Sequence, residues 1–188
     1  MKQAWSTELI NKAWDFATLA HQGQTYATPD PHIRLDYINH VGAVTMELMW
    51  ELARSTDNTI DGNLVLQCAL LHDVIEDTNY SHDDLVQSFG KAVADGVLAL
   101  SKKPDLPRSA QMHDSLMRIR QQPREVWMVK MADRINNLSP PPAHWTKERI
   151  QAYGQEGQLI HDELQSAHAG LAQRLQEKIN AYAAYAKA

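Results

Sequence analysis

Apolar residues recur along this chain at intervals of three and four, and the strict alternation of a half-buried strand is nearly absent. Within 7–21, Ile10, Ala13, Trp14, Ala17 and Ala20 fall on one stripe, which predicts an amphipathic helix. The stretch QGQTYATPDPHIRLDY that follows is rich in Pro, Gly, Asp and Thr and predicts a loop. A second helix is expected to begin near His40 and to carry Val44, Leu48 and Leu52 inward. Between 62 and 76 the run NLVLQCALLHDVIE is apolar on almost every side, as in a central helix surrounded by others. Ser81 with Asp84 three positions on resembles a capping pair opening a short helix that stops at Gly90. Helices are expected next over 91–102, 108–121 and 124–137. The prolines within 139–142 break the pattern, because consecutive prolines cannot continue a helix. After them, 145–165 and 168–187 read as two further helices. No internal repeat or low-complexity tract appears, so the expected fold is an all-α bundle in one domain.

Composition narrows the classes of function. A length of 188 residues fits one domain and suffices to bury one continuous core. The apolar fraction is ordinary for a globular protein, which argues against disorder. A net charge of −5 argues against a nucleic-acid polymer as partner. It leaves room for a phosphorylated small molecule, since a few local Lys and Arg can reverse the field inside a cleft. Cys68 is the only cysteine and lies in an apolar run, so no intramolecular disulfide forms and a core position is expected. The opening MKQAWSTELI has no long apolar stretch after its lysine and does not read as a signal peptide. No window approaches the roughly 20 apolar residues that a membrane span needs. A soluble, cytoplasmic protein without a membrane partner is expected.

The candidate chemistry starts in LLHDVIEDT, with His72-Asp73 and Glu76-Asp77. On a continuous helix His72 would sit over Glu76 and Asp73 over Asp77, because residues four apart share a face. That would gather an imidazole and three carboxylates at the end of the most apolar helix, and ionised groups are costly to bury unless paired or bound to a metal. A solvated polar helix end is the plainer reading. Two other residues add weight. His40 follows Tyr37-Ile38-Asn39 at a helix start, and Asp133 lies inside the apolar MVKMADRINNL. A shared metal would account for acids in apolar helices; a buried salt bridge of Asp133 with Lys130 or Arg134, and a capping or core role for His40, are the alternatives. Two imidazoles and two carboxylates form a mixed N/O set suited to Mn²⁺, Fe²⁺, Zn²⁺ or Mg²⁺, without the thiolates of a structural zinc site.

The strings AHQGQ (20–24), YINH (37–40), ALLHDVIEDT (69–78), FGKAVADGVLALSK (89–102) and VKMADRINNL (129–138) together resemble the HD-superfamily hydrolase domain of the RelA/SpoT proteins. More particularly they resemble its stand-alone relatives, the small alarmone hydrolases. The match runs in order over about 13–160, with HDVIEDT and KMADR the most specific parts. The resemblance implies an HD-type helical bundle over 1–188, its motif-bearing core at about 7–160 and a helical extension at about 161–188. It implies one Mn²⁺ ion and removal of the 3′-pyrophosphate from guanosine tetra- or pentaphosphate or their adenosine analogues. Carried over by position, the metal ligands fall on His40, His72, Asp73 and Asp133, and the catalytic acidic pair on Glu76 and Asp77. Asn137 matches the asparagine that contacts the nucleotide. Arg149 and Tyr153 match an Arg and Tyr after the proline break, and Lys102 a basic residue after the GVxxL segment, with Lys103 adjoining it. Each has a plainer reading too: Asn137 as a helix cap, Lys102 as a C-terminal helix cation, Tyr153 as core packing.

A divalent ion lowers the pKa of bound water and polarises a phosphoryl oxygen, so these roles make chemical sense. Glu76 and Asp77 would then take or orient the water's proton and assist the leaving oxygen. Lys102 and Arg149 would offset charge on the diphosphate. Three positions depart from the family. Its Arg-Lys pair, which stacks on guanine, is Tyr26 and Ala27 here, in a longer loop; its His in ADRLHN is Asn136; and the Pro after YIxH is Val41. Tyr26 can stack on a purine in place of the guanidinium, or Arg34 can fold back to do so, and an adenine-bearing alarmone stands beside the guanine one. The C-terminal helices could pack on the bundle or pair with another subunit in a homo-oligomer. Competing functions are an HD phosphohydrolase acting on nucleotide monophosphates or cyclic dinucleotides, and a non-catalytic module that senses the nucleotide.

Overall fold

The computed structural model describes residues 5–187; most of the opening stretch that reads as no signal peptide is thus described, with residues 1–4 and 188 outside. Helix α1 (Thr7–Ala20) is capped by Ser6, whose side chain accepts from the Leu9 amide. A short antiparallel hairpin, β1 (Thr25–Ala27) and β2 (Arg34–Asp36), leads into α2 (Ile38–Arg54). Then come α3 (Gly62–Leu71), α4 (Val74–Asp77), α5 (His82–Phe89), α6 (Lys91–Leu100), α7 (Arg108–Ile119) and α8 (Arg124–Asn137). Helix α9 (Lys147–Leu164), a 3₁₀ turn and α10 (Ala169–Tyr182) follow. The fold is all-α apart from the hairpin.

Helix α3 sits at the centre, packed on α1, α2, α6 and α8. Val65, Leu66, Cys68, Ala69, Leu70 and Leu71 are all buried, which is why its sequence shows no polar face. Helix α8 is buried along almost its whole length and joins α2 and α3 to the C-terminal pair α9 and α10. Those two helices pack on α8 and on each other, with Ile160, Leu164, Leu171 and Leu175 turned inward. No described helix is long and apolar enough to cross a membrane.

The signals read at the two ends of α5 are realised. Ser81 and Asp84 form a reciprocal capping box at α5, and Gly90 takes φ 85°, a conformation that side chains disfavour, between α5 and α6. Two expectations are corrected. The segment expected to be a loop contains the hairpin: Thr25, Tyr26 and Ala27 pair with Asp36, Leu35 and Arg34. Three residues per strand are too few to show a period of two, and the Pro-Asp-Pro run forms only the tip. The helix expected through 62–76 is broken at His72-Asp73. His72 Nδ1 bonds the Ala69 carbonyl at 2.7 Å, occupying the acceptor that the Asp73 amide would use in an unbroken helix.

The α3–α6–α8 contact is tight. A Cβ added at Gly96 would lie 2.9 Å from both Cys68 Sγ and Val126 Cγ2. Replacing Gly96 by Ala is expected to destabilise the protein by about 1–3 kcal/mol, the usual penalty for overpacking, read from the urea midpoint at an unchanged slope. Burial also pushes the Cys68 thiol up to about 12.

Candidate functional site

The break after α3 creates the site. On a regular helix neighbouring residues point 100° apart, yet here His72 Nε2 and Asp73 Oδ2 meet at 3.0 Å. His40, in the first turn of α2, brings its Nε2 to 3.3 Å from that of His72 and 3.7 Å from Asp73 Oδ2. From α8, Asp133 Oδ1 lies 3.5 Å from His40 Nε2 and 3.9 Å from His72 Nε2. Three parts of the chain distant in sequence thus converge on one point, and among the described residues His40, His72 and Asp133 offer ligand atoms close enough together to hold a metal ion. Ligands bound at about 2.0–2.2 Å in tetrahedral or octahedral arrangement stand roughly 2.8–3.6 Å apart, close to the spacings seen here. The donor set therefore fits a divalent cation.

The charges agree with the geometry. Burial works against the imidazolium of His72, but Asp73 and Asp133 outweigh it and raise this histidine to about 9. Burial also works against the Asp73 and Asp133 carboxylates. The histidines hold Asp73 well below the usual carboxylate range, and Lys130 with the two histidines does the same for Asp133. Positive charge is favoured where the four side chains meet. Lys130 Nζ lies 3.0 Å from Asp133 Oδ2, so the salt bridge offered as an alternative for Asp133 exists beside the cluster, one carboxylate oxygen serving each.

Next to this point stand Glu76 and Asp77 on α4. The Glu76 carboxylate accepts from the Lys102 amide at 2.7 Å and from Lys102 Nζ at 3.2 Å. Lys103 pairs instead with Asp114, so of the two adjoining lysines it is Lys102 that meets Glu76. Asp77 has its proton affinity raised by burial and by Asp73 and Glu76. Tyr37 bridges Asp73 (2.6 Å) and Asp77 (3.3 Å) through its hydroxyl. The AHQGQ turn supports the same corner: Gln24 Nε2 donates to the Asp77 carbonyl at 2.7 Å, and Gln24 Oε1 pairs with His21 Nδ1 at 2.8 Å.

Two cavities share a rim that includes Glu76, Lys102, Lys130, Asp133, Asn137, Trp145 and Tyr153. One, of about 620 Å³, is lined by Tyr26, Pro29, Leu35, Pro140, Pro141 and Trp145 and reaches His40 and Asp73. The other, of about 690 Å³, holds Lys102, Arg108, Lys130, Arg134 and Arg149, with Glu156 paired to Arg134. Arg149 stacks on Trp145 at 4.1 Å, and Tyr153 lies under the Arg134 guanidinium at 4.2 Å. Every expected substrate residue borders one of these spaces: Tyr26 the first, Arg149 the second, and Lys102, Asn137 and Tyr153 both. Asn137 is not the cap of α8, a position taken by Leu138; its amide donates to Asp133 Oδ1. Arg34 does not fold back. It is tied to Thr25 on the hairpin, with Nε 2.8 Å from the threonine hydroxyl, and lines neither cavity.

Sequence reasoning missed four residues with a part in this arrangement: Tyr37, Asn136, Trp145 and Arg108. Tyr37 is three before His40, and Asn136 three after Asp133, so helical spacing alone could have drawn both to the site. Trp145 and Arg108 carried no such signal, because the loop after the prolines and the start of α7 reach the cavity only through tertiary packing.

A helical bundle whose interrupted central helix presents His-Asp to a histidine and an aspartate from neighbouring helices defines an HD domain. The HD domain family model matches residues 13–176, so this chain belongs to that family. The guanosine-3′,5′-bis(diphosphate) 3′-pyrophosphohydrolase MESH1 of Danio rerio is 27% identical over 92% of this chain and 93% of its own length. Its counterpart in Xenopus tropicalis is 30% identical over 78% of this chain and 79% of its own, which places the chain among the stand-alone relatives of the RelA/SpoT hydrolases. The solved structure of a metazoan ortholog of SpoT that hydrolyses ppGpp superposes with a TM-score of 0.80 at 27% identity, covering 94% of this chain and 96% of that one.

Proposed function

We propose that this chain is a Mn²⁺-dependent pyrophosphohydrolase that removes the 3′-pyrophosphate of (p)ppGpp and its adenosine analogues. The observation that carries the metal site is the approach of two imidazole Nε2 atoms to 3.3 Å with Asp73 and Asp133 oxygens beside them. Both rings have their Nδ1 engaged elsewhere, so the two Nε2 atoms face inward together, and a cation between them would take both as ligands. His40, His72, Asp73 and Asp133 would hold it. A divalent ion there supplies an activated water near neutral pH and polarises a phosphoryl oxygen.

The chain's own residues do the rest. Glu76, fixed at two points by Lys102, would accept the attacking water's proton, and Asp77, held by Tyr37, would hand one to the departing 3′-oxygen. The cationic cavity receives the diphosphate. Among the described residues, no carboxylate pairs with Arg108 or Arg149, which leaves both forks free for phosphate oxygens. Tyr26 and the 140–142 prolines form apolar walls on which either purine can stack, with no charged group at that end to read guanine. The substrate names of the relatives support the same reading.

The test is product analysis with Mn²⁺. Pyrophosphate and a nucleoside 5′-diphosphate from ppGpp and ppApp support the proposal; orthophosphate from a nucleoside monophosphate would replace it. Chelator-treated protein should gain roughly 5–10 °C in Tm on adding Mn²⁺ to about 100 times its Kd. That concentration contributes about 2.7 kcal/mol, at roughly 2–4 °C per kcal/mol for a chain of this size.

A further inference from the structure

The two imidazoles at the candidate metal centre are anchored differently. His72 Nδ1 faces the Ala69 carbonyl of its own helix, a group that can only accept, so that ring carries its proton on Nδ1. His40 Nδ1 instead meets the side-chain amide of Asn136 at 2.8 Å, across 96 residues of sequence. We infer that Asn136 is a positioning residue: its Oδ1 accepts the Nδ1–H of His40 and so turns the Nε2 lone pair of that ring toward the metal position. This rests on the proposed reading of the cluster as a metal centre.

The amide has two orientations, with opposite consequences. With Nδ2 toward His40, the ring must accept at Nδ1 and carry its proton on Nε2, pointing at His72 Nε2 only 3.3 Å away. That proton would occupy the space a cation needs. With Oδ1 toward His40, the proton moves to Nδ1 and the inward lone pair is free. A bound cation and an Oδ1-facing amide therefore select each other. Asn136 is also well placed to act rigidly. It sits three residues after Asp133 on α8, so one helix supplies an anionic ligand and the acceptor that orients a ligand from α2. Its main-chain carbonyl accepts from Ser139 Oγ at 2.7 Å, which fixes the backbone at this residue just ahead of the prolines. A ring nitrogen held this way gains basicity and loses freedom, and both tighten metal binding.

The experiment measures Mn²⁺ affinity directly, by titration of metal-stripped full-length protein, for wild type, N136L, N136D and H40A. The leucine has no acceptor; the carboxylate is a stronger one than the amide. N136L should bind Mn²⁺ about 10–100-fold more weakly, with KM at saturating Mn²⁺ within twofold of wild type, while N136D binds at least as tightly as wild type. Affinity for N136L within twofold of wild type, or N136D as weak as N136L, overturns the inference. Should N136L fail to fold, N136D decides alone: binding more than tenfold weaker than wild type sinks the idea, and equal or tighter binding supports it. H40A separates the two levels. If it abolishes Mn²⁺ binding and N136L leaves it intact, only the role of Asn136 falls; if neither variant matters, the metal centre falls with it.

Discussion

Replacing Asp133 by asparagine is expected to cut turnover about 10³-fold or more and to remove the bound ion, a loss of at least ~4 kcal/mol of transition-state stabilisation. The size follows from how many partners share this carboxylate. One oxygen faces both His40 and His72 and accepts from Asn137; the other faces Lys130. An amide keeps the shape but removes the charge from both sides. It also turns an NH₂ group toward whichever partners its nitrogen faces, including groups that are themselves donors. Lys130 then remains buried without a counter-charge, at 6% exposure, and breaking such a pair from one side typically costs about 3–5 kcal/mol of stability. Two effects are therefore superposed, and a second substitution separates them. D133N with K130M should recover most of the urea midpoint while staying inactive and metal-free. Recovery of activity together with stability would show that Asp133 acts only as a structural partner of Lys130.

The second large effect is expected at Glu76. Glutamine there should lower kcat by about 10²–10⁴-fold while leaving Mn²⁺ affinity within a few-fold of wild type. Glu76 is absent from the close imidazole–carboxylate cluster, and its contacts run to Lys102. Glutamine retains an oxygen for the Lys102 amide, so the backbone anchor survives. What disappears is the group able to take a proton from water, and with it the charge that neutralises Lys102. Freed from its partner, Lys102 should hold the diphosphate at least as well, and KM should stay level or fall. Single-turnover release of pyrophosphate, measured beside metal content, reads both quantities. A variant keeping more than a tenth of wild-type kcat would remove Glu76 from the proton-transfer step. Unchanged nucleotide binding with no turnover in the wild type would point instead to a sensor.

Much of this protein was legible one residue at a time. The three- and four-residue periodicity outlined most of the helices, and 124–137 was bounded as α8 stands. Ser81, Asp84 and Gly90 marked their turns, because caps and positive-φ glycines act within a few residues of themselves. The same string that made the central helix legible also misled. LLHDVIEDT continues an apolar run, and nothing in its hydropathy reveals that His72 will take the Ala69 carbonyl and end the helix. The hairpin escaped notice for a related reason, since six paired residues are too few for a pattern.

The sequence by itself determined which groups this protein could bring to a reaction: two histidines and several acids embedded in apolar helices, where burial without a partner is unfavourable. Only the tertiary structure decided how those groups are shared out, setting Asp133 between Lys130 and the histidines, Glu76 against Lys102, and Asn136 behind His40. The reason is physical. Periodicity, capping and burial cost are properties of neighbouring residues, whereas a partner that is 26 or 96 positions away is chosen by how whole helices pack.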